Sequence, residues 1–165
     1  MKKIIGFLIS TLFLISCSGN FESQAKEQME KTFKELAKDP SSVELSNIET
    51  QFKNDSICII HLKFSGKNGF GAVSSTKYEY IYCKDITKNS IREAVVNLEK
   101  DKSVLQSAKE MYKDKEIYDA MINEEHKTDE EAKAFCIYFY AWMQTLASGR
   151  DVGEKSEDLN SPDNW

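Results

Sequence analysis

Apolar residues along the chain change period twice, from a helical spacing to an alternating one and back. Phe21, Ala25, Met29, Phe33, Leu36 and Ala37 recur at steps of three and four with Lys and Glu between them, which predicts an amphipathic helix. Asp39-Pro40 ends it, because proline pushes the preceding residue out of the helical region. Three strands are then expected, Val43–Phe52, Ile57–Phe64 and Thr76–Cys83, with Asn54-Asp55-Ser56 turning between the first two. In the second, Cys58, Ile60, Leu62 and Phe64 share one face, with Ile57, Ile59, His61 and Lys63 on the other. In the third, Tyr78, Tyr80 and Tyr82 share a face, forming a ladder that is either exposed or covered by the C-terminal helices. A Gly-rich connection, Ser65 to Ser75, joins these two strands.

After Asp85 the helical period returns. Thr87 or Asn89 is placed to cap a helix with the stripe Ile91, Val95 and Leu98, and Asp101 or Ser103 to restart it before Leu105, Ala108, Met111 and Tyr112. Ile117, Tyr118, Met121 and Ile122 carry a further stretch, so one bent helix or two precede the last one. Thr128 with Glu131 three places on is a capping box opening a helix to about Ala147, and Gly149 fits its C-terminal end. Phe135 to Met143 is almost wholly apolar, the composition of a helix buried on most faces, which predicts the central core element, with a partner-binding surface as the alternative. The order predicts an α+β fold: an N-terminal helix, a three-stranded antiparallel meander, and two or three C-terminal helices, all in one domain over residues 21–149. Residues 150–165 are acidic and polar and read as a disordered tail.

The first residues differ in kind. Lys2 and Lys3 precede an apolar run from Ile4 to Ile15, too short for a bilayer span of about twenty residues. Leu14-Ile15-Ser16-Cys17 closes it and resembles the lipobox of bacterial lipoproteins. That resemblance covers residues 1–17 and implies a signal peptide over residues 1–16. It also implies a diacylglyceryl group on the Cys17 sulfur, with residues 17–20 as a lipidated tether. Anchoring then rests on burial of acyl methylenes, about 0.8 kcal/mol each. The alternative is an ordinary secretory signal with a cysteine nearby. Ser18, where an Asp often marks inner-membrane retention, favours the outer membrane if the cell has two.

Charge narrows the partners. The chain carries −5, and loss of Lys2 and Lys3 with the leader takes it to −7. Phosphate binding needs a basic patch, so a nucleic-acid partner is not expected, and anionic headgroups give no added attraction. The membrane is reached through the lipid on Cys17.

Cys58, Cys83 and Cys136 remain. If the two best strands form a hairpin centred midway between Phe70 and Gly71, Cys58 and Cys83 oppose each other. A disulfide there would add about 3 kcal/mol in the chain-entropy picture. The alternative is a pair of buried free thiols, and Cys136 reads as a buried core thiol. No CxxC or HxxxH spacing supports a metal site, and no cofactor motif is found. Gly66 to Gly71 lacks the Gly-Lys-Ser/Thr ending of a phosphate loop and leads into a strand, so it reads as a hairpin loop. His61 and His126 are the candidate general bases, yet neither has a nucleophile nearby in sequence. The acids around His126 lack the calcium-loop pattern and read as a solvated face.

Asp39-Pro40-Ser41-Ser42 and Asn68-Gly69-Phe70-Gly71 together resemble small uncharacterised bacterial and phage-borne domains that combine a helix, a D-P-x-S turn and a hairpin with an N-x-F-G motif. The resemblance spans residues 34–82 and implies a helix-plus-meander start, with no assigned activity. Three functions compete on these grounds. The first is a non-enzymatic, lipid-anchored envelope protein that binds a protein or small ligand. The second is an envelope hydrolase using His61 or His126, and the third a structural or exclusion lipoprotein.

Overall fold

The computed structural model describes residues 18–114, 116, 119 and 128–154. Helix α1 spans Ser18–Leu36, and a 3-10 turn follows at Pro40–Ser42. Asp39 caps that turn by accepting from the Ser41 N–H at 3.1 Å, with proline just inside it. Strands β1 (Glu44–Lys53), β2 (Ile57–Lys67), β3 (Val73–Lys84) and β4 (Ile91–Asn97) come next, then α2 (Val104–Lys113), α3 (Asp129–Ser148) and β5 (Arg150–Asp151).

The five strands form one antiparallel sheet in the order β1-β2-β3-β4-β5. This corrects the three-stranded meander expected from the sequence: α1 precedes a five-stranded antiparallel sheet, with α2 and α3 inserted before its last strand. The misread segment is Ile91–Asn97. Its Ile91, Val95 and Leu98 fit a helical stripe, but the backbone is extended and pairs with β3 from Tyr78↔Asn97 to Lys84↔Ile91. Alternation was hidden because Glu93, polar in sequence, is buried. Thr87 caps no helix; its N–H and hydroxyl donate to the Asp85 carboxylate at 2.7 and 2.6 Å, which shapes the loop before β4. Arg150 and Asp151, assigned by the sequence to the tail, form β5 against Glu93 and Arg92.

The sheet separates two apolar layers. On one face, Cys58, Ile60, Leu62 and Phe64 of β2 and Tyr78, Tyr80 and Tyr82 of β3 pack under Phe21, Ala25, Met29 and Phe33 of α1. The tyrosine ladder is therefore covered by the N-terminal helix. On the other face, Ile57, Ile59, Ile81, Cys83, Ala94 and Val96 meet Val104 of α2 and Ala141 of α3. The two helices touch through Ala108, Ala132 and Cys136.

Caps fix the helix ends. Ser103 accepts from the Gln106 N–H at 3.1 Å, and Thr128 and Glu131 form the reciprocal capping box. Gly149 closes α3 where a Cβ would lie 2.3 Å from the Glu93 carbonyl oxygen, so only glycine lets helix and strand approach this closely. The three residues read as a tether, Ser18 to Asn20, already belong to α1. Cys17 with the lipobox, His126 and the Ile117–Ile122 stripe lie outside the described residues.

Candidate functional site

His61 sits on β2 facing α2, with Nε2 2.9 Å from Oε2 of the fully buried Glu79 on β3. The other Glu79 oxygen accepts from the Val104 N–H at 2.7 Å, in the first turn of α2. A carboxylate at a helix N-terminus satisfies an orphan donor and the helix dipole, so this pair secures α2 to the sheet. The adjoining groove, about 230 Å³, is lined by Asn47, Glu49, His61, Leu62, Lys63, Lys77 and Leu98. None of these carries a hydroxyl or thiol for the histidine to activate, and His61 gains Glu79 as a positioning partner.

A second buried cluster was not anticipated. Glu93 of β4 accepts from Tyr80 Oη at 2.5 Å, Thr32 Oγ1 at 2.8 Å, Arg150 Nε at 2.8 Å and Gln28 Nε2 at 3.3 Å. Arg150 also donates Nη2 to Glu35 at 2.8 Å and Nη1 to the Glu154 carbonyl. Burial, then the nearby Glu93 charge, holds the Tyr80 phenol well above its ordinary value, so it stays a donor. Burial opposes the Arg150 charge, but Glu35 and Glu93 outweigh it and raise the guanidinium further. Every charge in the cluster is partnered. It joins α1, β3, β4 and β5 as a strut, with no open coordination for a substrate. A Gly-Arg pair just past an apolar helix was the one available sequence sign.

The strand register decides the cysteines. Cys58 pairs with Tyr82 and Ile57 with Cys83, which centres the hairpin on Phe70 itself. That half-residue difference from the expected centre puts Cys58 and Cys83 on opposite faces of the sheet, so of the two alternatives, bridge or buried free thiols, the structure holds the free thiols. Burial pushes each thiol up to about 11, far from the reactive thiolate. Cys136 is a buried thiol at the α2–α3 contact. Among the described residues no three His, Cys, Asp or Glu side chains are grouped to hold a metal ion.

Surface features remain. The apolar run in α3 was expected to be central core, yet only one side of it is buried. Ile137, Ala141 and Thr145 face inward, while Phe135, Phe139, Met143 and Leu146 on the outer side are 41%, 36%, 44% and 45% exposed. Trp142 lies between them, half-buried, with its ring 6.4 Å from Phe139, and Phe135 stacks on Phe139 at 6.4 Å. The indole Nε1 is buried with no acceptor among the described residues. No Asp, Glu, Lys or Arg occurs from Ala134 to Gly149. At the far end of the sheet, Phe70 stands at the β2–β3 turn, 99% exposed.

The grooves, by contrast, are lined largely by charged side chains. A groove of about 540 Å³ on the outside of α1 is lined by Glu27, Glu30, Lys31, Lys34, Glu35 and Pro40. Side chains from α1 fill the space over the tyrosine face. No helix among the described residues is long and apolar enough to cross a membrane. Comparison of the chain with protein-family models, with curated proteins and with solved structures finds no match in any of the three.

Proposed function

We propose that this chain is a lipid-anchored protein of the bacterial envelope, held through Cys17, whose folded body binds another protein through the outer face of α3. One observation carries the binding part: a charge-free stripe of Phe135, Phe139, Trp142, Met143 and Leu146, displayed on the helix side that the sheet does not use. Aromatic residues and Met enriched, with charge depleted, is the composition of an interface core. Folding leaves between a third and a half of Phe135, Phe139, Met143 and Leu146 in water, and a partner that dehydrates that remainder gains about 25 cal/mol per Å². The spacing of 135, 139, 142 and 146 follows the four-three-four step of a helix-packing seam, which suits a helix or an apolar groove on the partner. The grooves are open and lined largely by lysine and glutamate side chains rather than by an apolar cavity wall, which favours protein over small-molecule binding.

The anchor rests on the Lys2-Lys3 start, the apolar run and the Leu14-Ile15-Ser16-Cys17 motif. Because α1 begins at Ser18, an acyl group on Cys17 would hold the body against the bilayer without a spacer. In a cell with two membranes the outer one is favoured by Ser18.

Metabolic labelling with a radioactive fatty acid, together with photo-crosslinking from residue 143 in the full-length chain, tests both parts. Label is expected in the parent and not in Cys17→Ala. A discrete protein adduct is expected from position 143 and is expected to disappear in Phe135→Lys. An unlabelled parent would overturn the anchor, and an adduct indifferent to Phe135→Lys would overturn the stripe.

A further inference from the structure

We propose that the β2–β3 hairpin tip is a second, separate docking element, in which Phe70 enters an apolar, acid-rimmed socket on a protein partner. Folding does not account for its exposure. Phe70 is almost wholly in water, Val73 beside it is also exposed, and neither side chain is buried in the core. The loop is nonetheless built to hold one shape. The Asn68 carboxamide oxygen accepts from the Phe70 N–H at 2.9 Å and from the Ala72 N–H at 3.1 Å. The Asn68 N–H donates to the Ala72 carbonyl, and the Gly71 N–H to the Asn68 carbonyl, both at 2.9 Å. Gly71 takes φ +80°, which residues with a Cβ rarely adopt. A loop ordered in advance loses little conformational entropy on contact, so a single aromatic knob there binds more tightly than on a floppy loop.

Charge defines the partner. Lys38 lies along Gly69, its Cδ 3.6 Å from where a Cβ would stand, and Lys67 is exposed at the base of the tip. Asp39 lies within electrostatic range of Lys67, but its carboxylate is occupied by Ser41, whose hydroxyl donates at 2.5 Å. The knob is thus apolar with a basic skirt, and a complementary socket has acids at its rim.

Position separates a protein from a bilayer, and this step rests on the anchoring reading above. Phe21, near the start of α1, packs on Tyr82, while Phe33, near its end, packs on Phe64 and Tyr78. The tip therefore lies toward the opposite end of α1 from Ser18, roughly 28 Å along the helix axis. A lipid-held body points Phe70 away from its own membrane.

The test places a benzophenone amino acid at position 70 of the full-length chain in the cells that make it, with position 88 on the opposite end as control and position 143 reporting on α3. A protein adduct is expected from 70 and not from 88. Its yield is expected to fall about tenfold when Lys38→Glu and Lys67→Glu are combined, with the mapped partner peptide carrying apolar residues flanked by Asp or Glu. An adduct to lipid, a yield unchanged by charge reversal, or no adduct above the control would overturn the proposal. An adduct from 143 with none from 70 removes the tip alone; silence at both positions removes the α3 reading as well.

Discussion

The two helical layers covering the sheet use aromatic residues in opposite ways. In α1, apolar side chains point inward, with Phe33 fully buried against Phe64 and Tyr78, while Lys and Glu occupy the solvent side. In α3 the inner side is built from smaller groups such as Ala141 and Thr145, and the large ones, Phe135, Phe139 and Met143, point out. Composition already separates them, with two aromatics in α1 and five in α3, and the direction of the side chains separates them further. One helix supports the fold, and the other carries more apolar surface than the fold requires.

Removing one partner of the buried Glu93–Arg150 pair should have the largest effect, because the remaining charge has neither water nor a counter-ion. Arg150→Ala is expected to cost about 3–5 kcal/mol in urea unfolding. A cost near zero would mean that the strut joining the α1 layer to β4 and β5 adds nothing. Phe33→Ala should be nearly as severe, about 3–5 kcal/mol, since it empties space under α1. Thr128→Ala removes the N-terminal cap of α3 and should cost about 1 kcal/mol, read in the same assay.

A pH series sharpens the α1 side further. Hydrogen bonds from Lys26, Lys53 and Thr50 hold the Glu22 carboxyl down at about 2. Its folded value lies below its unfolded one, so the unfolded chain binds the proton more readily. The contribution is complete above the ordinary carboxylate range and is lost as pH falls toward about 2. Glu22→Gln is expected to flatten the unfolding midpoint against pH over that window, and an unchanged slope would remove this role.

Legibility in the sequence followed burial. α1, the cores of β2 and β3, Ser103 and the Thr128–Glu131 box were readable because their apolar and capping positions report local geometry directly. β4 was not, because buried Glu93 replaced an apolar residue in the alternation and left Ile91, Val95 and Leu98 to suggest a helix. The Cys58–Cys83 relation failed through half a residue of hairpin centre, which only the turn around Asn68 and Gly71 determines. His61 was visible as a candidate, but its partner Glu79 lies on a neighbouring strand whose register the sequence did not specify. In α3 the period was apolar on all sides, and periodicity cannot say which side is outward when no polar residue marks it.

The contrast between the helices is tested most directly by urea unfolding of Met143→Lys beside Phe33→Ala. Lysine is a good helix former placed in the C-terminal half of α3, where positive charge is tolerated. The Met143→Lys midpoint is expected to stay within about 0.5 kcal/mol of the parent while Phe33→Ala loses several. A loss of about 3 kcal/mol or more for Met143→Lys would show that the outer face of α3 is part of the core, and would contradict its role as a docking surface.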